Sequence, residues 1–155
     1  MVMVTTERMY IHPVSVEALQ IKIREEPDEE MKKAYSEMLT GCIEVPEQYV
    51  WYTMWQMQFR DGGKQLIGDI CFKGLQTDGS VEIGYGIKPE YEGRGLATEA
   101  VIAMVRWAVE QPGVLRVEAE TEPGNIASQR VLQKSGFVPD GVQGEEGPRF
   151  VWKNC

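Results

Sequence analysis

The chain of 155 residues is acidic, with 24 Asp and Glu against 16 Lys and Arg and a net charge of −8 at pH 7. With 43% hydrophobic and 26% charged residues, its composition is typical of one globular domain with a single core and excludes a disordered chain. The charge argues against nucleic acid or anionic membranes as main partners and fits a cationic amine, although a solubilising surface would look the same.

The cysteines and the apolar runs favour a cytoplasmic protein. Cys42, Cys71 and Cys155 are an odd number without metal-ligand spacing, which indicates reduced thiols. No apolar run is long enough to cross a bilayer, and the first residues lack the apolar stretch of a signal peptide. His12 is the only histidine, so we expect neither a histidine-based triad nor a metal site.

The first third of the chain predicts one strand and two helices. Residues 7–14 form the candidate strand, and Ser15 can cap a helix that runs to residue 23. A second helix begins at residues 27–28, and its apolar residues follow the helical period until Gly41 closes it. The acidic run 25–30 favours a solvated helix start, and it could instead attract a basic peptide.

A meander of three strands is predicted next. Residues 49–60 are rich in aromatic and β-branched side chains, residues 61–63 form a turn, and residues 65–72 return. A second turn at residues 77–79 leads into the third strand. Trp51 and Trp55 fall in this region, chiefly as core residues, and either could line an acceptor groove.

Residues 81–110 predict a strand, a glycine-rich turn and a long apolar helix. The two-residue alternation places Gly84 and Gly86 on one strand face, where bare backbone lets a ligand lie against it. Gly93 and Gly95 then precede the helix, whose first N–H groups and dipole can bind a pyrophosphate. A plain tight turn is the alternative interpretation.

After this helix, residues 115–121 predict a strand and residues 150–152 a closing strand, separated by a polar loop at residues 139–148. An antiparallel meander followed by strand–helix–strand–helix gives a mixed α/β sheet. A dinucleotide-binding oxidoreductase is disfavoured, because Thr98 stands where the third glycine belongs and a polar linker separates the turn from its strand. A Walker loop is absent from the sequence.

Two segments resemble the acetyl-CoA site of the GNAT superfamily of N-acetyltransferases. The first comprises residues 82–85 (EIGY) and 89–100 (PEYEGRGLATEA), and the second comprises residues 125–128 (NIAS) and 132–137 (LQKSGF). Asn-x-x-Ser at a helix start is most similar to the RimJ/RimL-like branch, which acetylates ribosomal-protein N-termini. The resemblance covers residues 50–137. It implies the GNAT fold in a single domain over the whole chain, with an N-terminal strand and two helices before the meander.

The resemblance also implies transfer of the acetyl group of acetyl-CoA to a primary amine by direct attack in a ternary complex. Glu82 matches the acid before the family's Ile-Gly-Tyr and is the candidate base, and burial would raise its pKa. An outward-facing strand glutamate is the alternative. Ser128 matches the serine that this branch is thought to use for the leaving thiolate, because the family's usual tyrosine is replaced by Leu132. Ser128 could instead only help to cap its helix.

The residues that the resemblance assigns to acetyl-CoA lie on the strand, the turn and two helix starts. They are Tyr85, Gly86, Ile87, Glu92, Gly93, Arg94, Gly95, Leu96, Ala97, Thr98, Asn125, Ser128 and Arg130. Glu92 departs from the family's Arg or Gln, so we expect it to contribute its N–H while Arg94 offsets its charge. Asn125 could simply cap its helix, and Arg130 could meet the 3′-phosphate or belong to a solvated basic stripe.

The acceptor is the least specified part of this prediction. We expect a basic peptide N-terminus or a small amine, with Trp51, Trp55 and Glu120 as candidate contacts. Glu120 lies on a strand face with other acids, so it could receive an ammonium group or face solvent. Homodimers are common in such folds. A non-catalytic acyl-CoA-binding module or sensor is the alternative function.

Overall fold

The computed structural model describes residues 2–63 and 65–153, and these contain eight strands and four α-helices. The strands are β1 (Val4–Thr5), β2 (Met9–Pro13), β3 (Met54–Phe59), β4 (Leu66–Leu75), β5 (Ser80–Ile87), β6 (Arg116–Glu120), β7 (Val138–Gln143) and β8 (Pro148–Lys153). The helices are α1 (Val16–Glu25), α2 (Glu29–Glu44), α3 (Leu96–Val109) and α4 (Ile126–Lys134). Short 3₁₀ helices occupy Pro46–Trp51 and Pro89–Tyr91.

All eight strands form one sheet in the order β1-β2-β3-β4-β5-β6-β8-β7. Only β5 and β6 pair in parallel, because α3 crosses between them. This arrangement confirms the predicted mixed α/β fold with its N-terminal helices, meander and strand–helix–strand–helix unit. In the part of the chain that the structure describes, no helix is both long and apolar enough to span a membrane.

Alternation along β5 gives the sheet two different faces. Val81 and Ile83 are buried in the main core, which α3 covers with Val101, Met104 and Val105. Glu82 and Gly84 point to the opposite face, as the two-residue period requires. The core face therefore holds the sheet together. On the other face, α1 and α2 cover β3 through a second apolar cluster that includes Met54, and the part around Glu82 is left for polar contacts. We call this part the open face.

The N-terminal helices begin where the sequence predicts, and α2 ends later. The Ser15 and Asp28 side chains accept N–H hydrogen bonds at the starts of α1 and α2. Gly41 does not close α2, which continues to Glu44. A Cβ at Gly41 would lie 2.7 Å from Cγ of Tyr52, so this glycine allows close packing inside the helix.

Two irregular regions also differ from the prediction. Residues 46–51 form a 3₁₀ helix, so the first meander strand begins only at Met54. The polar loop predicted at residues 139–148 contains most of β7, which pairs with β8 at the edge of the sheet. Every residue of β7 is exposed, so no alternation of apolar side chains marks it as a strand.

Pairing between β5 and β6 is short. It joins Ser80 with Arg116, Val81 with Val117, and Glu82 with Glu118, and then stops. β5 continues to Ile87 and β6 to Glu120 without further pairs between the two strands. The sheet therefore opens at its centre, beside the bare backbone of Gly84 and Gly86.

Candidate functional site

The opening between β5 and β6 leads into a cavity of about 290 Å³. Its walls come from β5, the end of β6 and the start of α4, and they include Gly84, Tyr85, Glu120, Thr121, Asn125 and Ser128. The Thr121 hydroxyl is buried here without a hydrogen-bond partner among the described residues. Because buried polar groups are normally hydrogen-bonded, this oxygen fits a cavity that receives a polar ligand. We call this space the wedge cavity.

Two hydroxyl groups meet on one wall of the wedge cavity. The Tyr85 hydroxyl lies 2.8 Å from Oγ of Ser128, and either atom could be the donor. Burial raises the pKa of Tyr85 above its ordinary value, and the hydrogen bond with Ser128 offsets only part of this. The oxygen of Asn125 accepts the N–H of Ser128 at 3.1 Å, so Asn125 caps α4. Tyr85, Asn125 and Ser128, which the sequence analysis assigned to acetyl-CoA, thus lie together in the wall of the wedge cavity.

The glycine-rich turn ends in a helix start with free donors. Gly93 and Gly95 have φ angles of 78° and 77°, which L side chains rarely adopt. The first backbone bond of α3 runs from the N–H of Glu99 to the carbonyl of Gly95 at 3.1 Å. Among the described residues, no acceptor contacts the N–H groups of residues 93–98. These donors and the helix dipole can hold a phosphate.

Arg8 supplies a cation beside this turn that the sequence analysis missed. Its guanidinium donates to Glu99 at 2.7 Å and to the carbonyl of Arg94 at 2.9 Å. Burial alone would raise the pKa of Glu99, but hydrogen bonds from Thr6 and Arg8 hold it below its ordinary value. No local pattern could have identified Arg8, because 91 residues separate it from Glu99.

The three charged residues assigned to acetyl-CoA have different surroundings. The N–H of Glu92 donates to the carbonyl of Pro89 at 3.3 Å, so the expectation that it is free for a ligand is wrong. Arg94 lies over the ring of Tyr91, with Cζ 5.6 Å from the ring centroid. Arg130 is exposed on α4 and forms no ion pair with any described residue.

Glu82 lies in an ion-pair network on the open face of the sheet. Its carboxylate accepts hydrogen bonds from Lys73 at 2.8 Å and from Arg149 at 2.9 Å. Burial alone would raise the pKa of Glu82, but these two cations hold it below its ordinary value. The expectation of a raised pKa is therefore wrong, because the sequence does not reveal the partners. Glu82 is held as a carboxylate at neutral pH.

Arg149 organises this network and was also missed. It donates to Glu82, to Glu118 at 3.0 Å and to Glu120 at 2.6 Å. Glu120 also accepts the N–H of Glu146 at 2.7 Å, and its side chain is only 8% exposed. Glu120 is thus neither exposed nor free for a substrate ammonium. The alternating acids of β6 were the signal that could have predicted such a partner, because buried carboxylates require a nearby cation.

The two tryptophans do not line a groove. Trp51 is 5% exposed and Trp55 is fully buried, and both rings pack against Phe72 and Trp107 in the main core. The expectation that either residue contacts an acceptor is therefore wrong. Their aromatic surface stabilises the packing of α3 on the sheet.

Among the described residues, no cluster of three or more potential ligands could hold a metal ion.

Comparison with known proteins places these features in a family. The profile of the acetyltransferase (GNAT) domain matches residues 7–138. The chain is 39% identical over 89 residues to the uncharacterized N-acetyltransferase YoaA of Bacillus subtilis (strain 168), an alignment covering 57% of this chain and 50% of YoaA. The chain spans about half the length of the curated relatives it matches.

Solved structures share the whole fold at low identity. An acetyltransferase from Agrobacterium tumefaciens str. C58 superposes with a TM-score of 0.75 at 18% identity, covering 99% of this chain and 95% of that one. RimL, a ribosomal L7/L12 alpha-N-protein acetyltransferase in complex with coenzyme A, gives a TM-score of 0.73 at 11% identity, covering 99% and 97%. Among the curated relatives, the putative ribosomal N-acetyltransferase YdaF of Bacillus subtilis (strain 168) is 35% identical over 77 residues, which cover 49% of this chain and 42% of YdaF, in agreement with the RimJ/RimL-like branch.

Proposed function

Because the chain belongs to the GNAT acetyltransferase family, we propose that it transfers the acetyl group of acetyl-CoA to a primary amine by direct attack in a ternary complex. The observation that carries this proposal is the wedge cavity between β5 and β6, together with the free N–H groups at the start of α3. A thioester arm in the wedge and a pyrophosphate at the helix start would use both features at once.

The proposed binding mode assigns a part of acetyl-CoA to each feature. The N–H groups of residues 93–98 would hold the pyrophosphate, and Arg8 supplies positive charge beside them. The arm would then follow the β5 backbone past Ile87 and Gly86 and enter the wedge cavity at Tyr85, with the buried Thr121 hydroxyl as one polar partner. Because Arg130 is exposed on α4, it remains the candidate for the 3′-phosphate.

The reaction forms one bond and breaks one. The ammonium first loses a proton, since its pKa of about 8 to 10 keeps it charged at pH 7. The amine nitrogen then attacks the carbonyl carbon, the C–N bond forms, the C–S bond breaks, and the nitrogen loses its second proton. We assign proton acceptance to Glu82 acting through a water, because its carboxylate is held ionised on the open face.

The departing thiolate takes up a proton or a hydrogen bond. We assign this donation to Ser128, whose hydroxyl lines the wedge cavity and contacts the Tyr85 hydroxyl at 2.8 Å. A donor in this position lowers the energy of the forming sulfur anion. The pair compensates for Leu132, which is fully buried where the resemblance puts a tyrosine.

The decisive experiment is a panel of amines with release of free thiol from acetyl-CoA as the readout. Peptides with free N-termini, amino acids, polyamines and aminoglycosides make up the panel, and calorimetry with CoA runs beside it. We expect CoA to bind and at least one amine to accelerate thiol release. Binding of CoA without turnover for any amine would favour the sensor function, and absence of CoA binding would overturn both.

A further inference from the structure

A second cavity lies between α1 and the strands β3, β4 and β5, against the open face of the sheet. Its volume is also about 290 Å³, and its walls include Lys22 of α1, Gln56 of β3, Asp69 of β4, and Gly86 and Lys88 at the end of β5. We call it the lysine cavity. None of its charged residues belongs to the network around Glu82.

Asp69 is the one acidic side chain in the wall of the lysine cavity. It is partly buried, and it forms neither an ion pair nor a side-chain hydrogen bond with any residue that the structure describes. Burial raises the pKa of Asp69, and the charge of Lys22 offsets only part of this. Because the carboxylate of Asp69 is partly removed from water and has no ion pair among the described residues, a cation entering this cavity would be stabilised beside it.

Two lysines complete the cavity with the opposite charge. Lys22 is partly buried and Lys88 is exposed, and neither forms an ion pair with the described part of the chain. The protein has a net charge of −8, but the wall of this cavity carries two lysines and one aspartate and is therefore positively charged. An anionic group would be attracted to them within reach of a cation at Asp69.

The lysine cavity and the wedge cavity share the bare part of β5. Asp69 is the register partner of Gly86, and Gly84, two residues along, lines the wedge cavity. Two residues of a strand span roughly 7 Å. A Cβ at Gly86 would meet no atom within 4 Å, so nothing blocks this face. A group held beside Asp69 is therefore close to a thioester in the wedge.

We propose that the lysine cavity is the acceptor site and selects an acceptor carrying both an ammonium and a carboxylate, with the ammonium at Asp69 and the carboxylate at Lys22 and Lys88. This inference rests on the proposed acetyl transfer. Two sources offer this chemistry: a free amino acid, and a peptide whose first residue is acidic. An acidic acceptor replaces the basic peptide expected from the net charge, because the charges inside the cavity act at shorter range.

The test compares acceptors that differ only in charge. Aspartyl-alanine amide, alanyl-alanine amide and lysyl-alanine amide represent peptide N-termini, and alanine with its decarboxylated form, ethylamine, represents free amino acids. We expect kcat/KM to be at least tenfold higher for the aspartyl than for the lysyl peptide, or for alanine than for ethylamine. Whichever pair shows the difference identifies the source. A wild-type enzyme that prefers lysyl-alanine amide and ethylamine would overturn the inference.

Matched variants separate the cavity from general charge effects. Lys22→Glu should reverse the order of the aspartyl and lysyl peptides, whereas Lys33→Glu, the same change at an exposed position of α2, should leave it unchanged. Asp69→Asn should raise KM for every acceptor at least tenfold while the Kd for CoA and the Tm stay near those of the wild type. Equal behaviour of the two lysine variants, or an unchanged KM in Asp69→Asn, would contradict the proposal.

Failure of the proposed function would give a different result. If no amine releases thiol, binding of aspartyl-alanine amide and alanine to the CoA-saturated protein is measured by calorimetry. Binding that is lost in Asp69→Asn and kept in Lys33→Glu supports the acceptor site even without turnover. Absence of binding by both probes to the wild-type protein would overturn it.

Discussion

Charge partners at single residues decide what each candidate carboxylate can do. Glu82 and Glu120 share the cation Arg149, whereas Asp69 has no ion-pair partner among the described residues. Burial raises the pKa of Asp69, whereas hydrogen bonds from Lys73 and Arg149 hold the pKa of Glu82 below its ordinary value. Glu82 is thus held as an ionised carboxylate that can accept a proton, whereas the carboxylate of Asp69 lacks comparable stabilisation.

Removing the charge of Glu82 tests its role as proton acceptor. Glu82→Gln should lower kcat by roughly 10²-fold, a typical loss for an acid–base group, and leave the Kd for acetyl-CoA nearly unchanged. The matched control is Glu118→Gln, which also loses a hydrogen bond with Arg149. Steady-state kinetics and calorimetry measure both effects. Equal kcat in the two variants would assign Glu82 to the network alone.

Ser128 can be tested through the leaving group. Ser128→Ala should lower kcat roughly tenfold, the effect of losing about 1.4 kcal/mol of hydrogen bonding in the transition state. The Kd for CoA should change little, because the cap from Asn125 uses the backbone N–H of this residue. Ser135→Ala is the control, since its hydroxyl bonds to Val131 outside the wedge cavity. A normal kcat in Ser128→Ala would contradict the assignment.

At this scale the sequence predicted residues with local signals and missed those with distant partners. The hydroxyl of Ser128 and the cap at Asn125 lie where the motif puts them. Arg149 was missed because its bond with Glu82 joins residues 67 apart, and nothing near position 149 in the sequence announces it. Asp69 was missed for a different reason: a lone acid in a strand looks like a solvent-exposed residue.

At the scale of elements, caps and periodicity were sufficient where one face is buried. Ser15 and Asp28 mark the starts of α1 and α2, and the long helix α3 follows its glycine turn as predicted. Two elements were not predictable in this way. β7 has no buried face, so no periodicity marks it as a strand. Gly41 predicts the end of a helix, but it lies inside α2 because the ring of Tyr52 leaves no room there for a side chain.

Gly41 therefore provides a test of packing against helix propensity. In an ordinary helix interior, Gly→Ala stabilises by roughly 1 kcal/mol. Here the new Cβ would overlap the ring of Tyr52, and overpacking costs typically 1–3 kcal/mol. We expect Gly41→Ala to lower the free energy of unfolding by about 1 kcal/mol in urea titrations. Gly86→Ala is the control, because its new Cβ would meet no atom within 4 Å. A higher free energy of unfolding for Gly41→Ala would show that the ring of Tyr52 moves away.

At the scale of the whole molecule, the ion-pair networks make stability depend on pH. Glu82 and Glu99 have pKa values below the ordinary 4.5, so the unfolded state binds their protons first as the pH falls. Their contribution is complete above pH 4.5 and is lost as the pH falls through the lower folded values. Protonation of Asp69, whose pKa is raised, acts in the opposite direction over its own range.

We therefore expect the urea midpoint to fall between about pH 5 and pH 3. Glu82→Gln should make this decrease shallower, because glutamine binds no proton in either state. Glu37→Gln, at an exposed position of α2, is the control and should retain the wild-type slope. Equilibrium unfolding at several pH values measures the effect. A midpoint that stays constant down to pH 3 would mean that the networks contribute no net stability.

The succession of elements from β2 to β6 could be predicted, whereas the edge position of β7 beyond β8 and the opening in the sheet could not. Turn signals and the two motifs fix the sequence of elements, and short connections then restrict the topology. The end of pairing after Glu82 and Glu118 depends on how β5 and β6 diverge in space. No residue pattern in either strand records that divergence.

Among the residues that the structure describes, three pairs join the two halves of the sheet along β5 and β6. A ligand arm placed between these strands would offer the backbone partners that each one lacks beyond Glu82. Binding of the arm would then also join the two halves of the sheet through new hydrogen bonds. The amide hydrogens of β5 and β6 would then exchange with solvent more slowly, and protection of both strands would rise with the fraction of protein that has ligand bound.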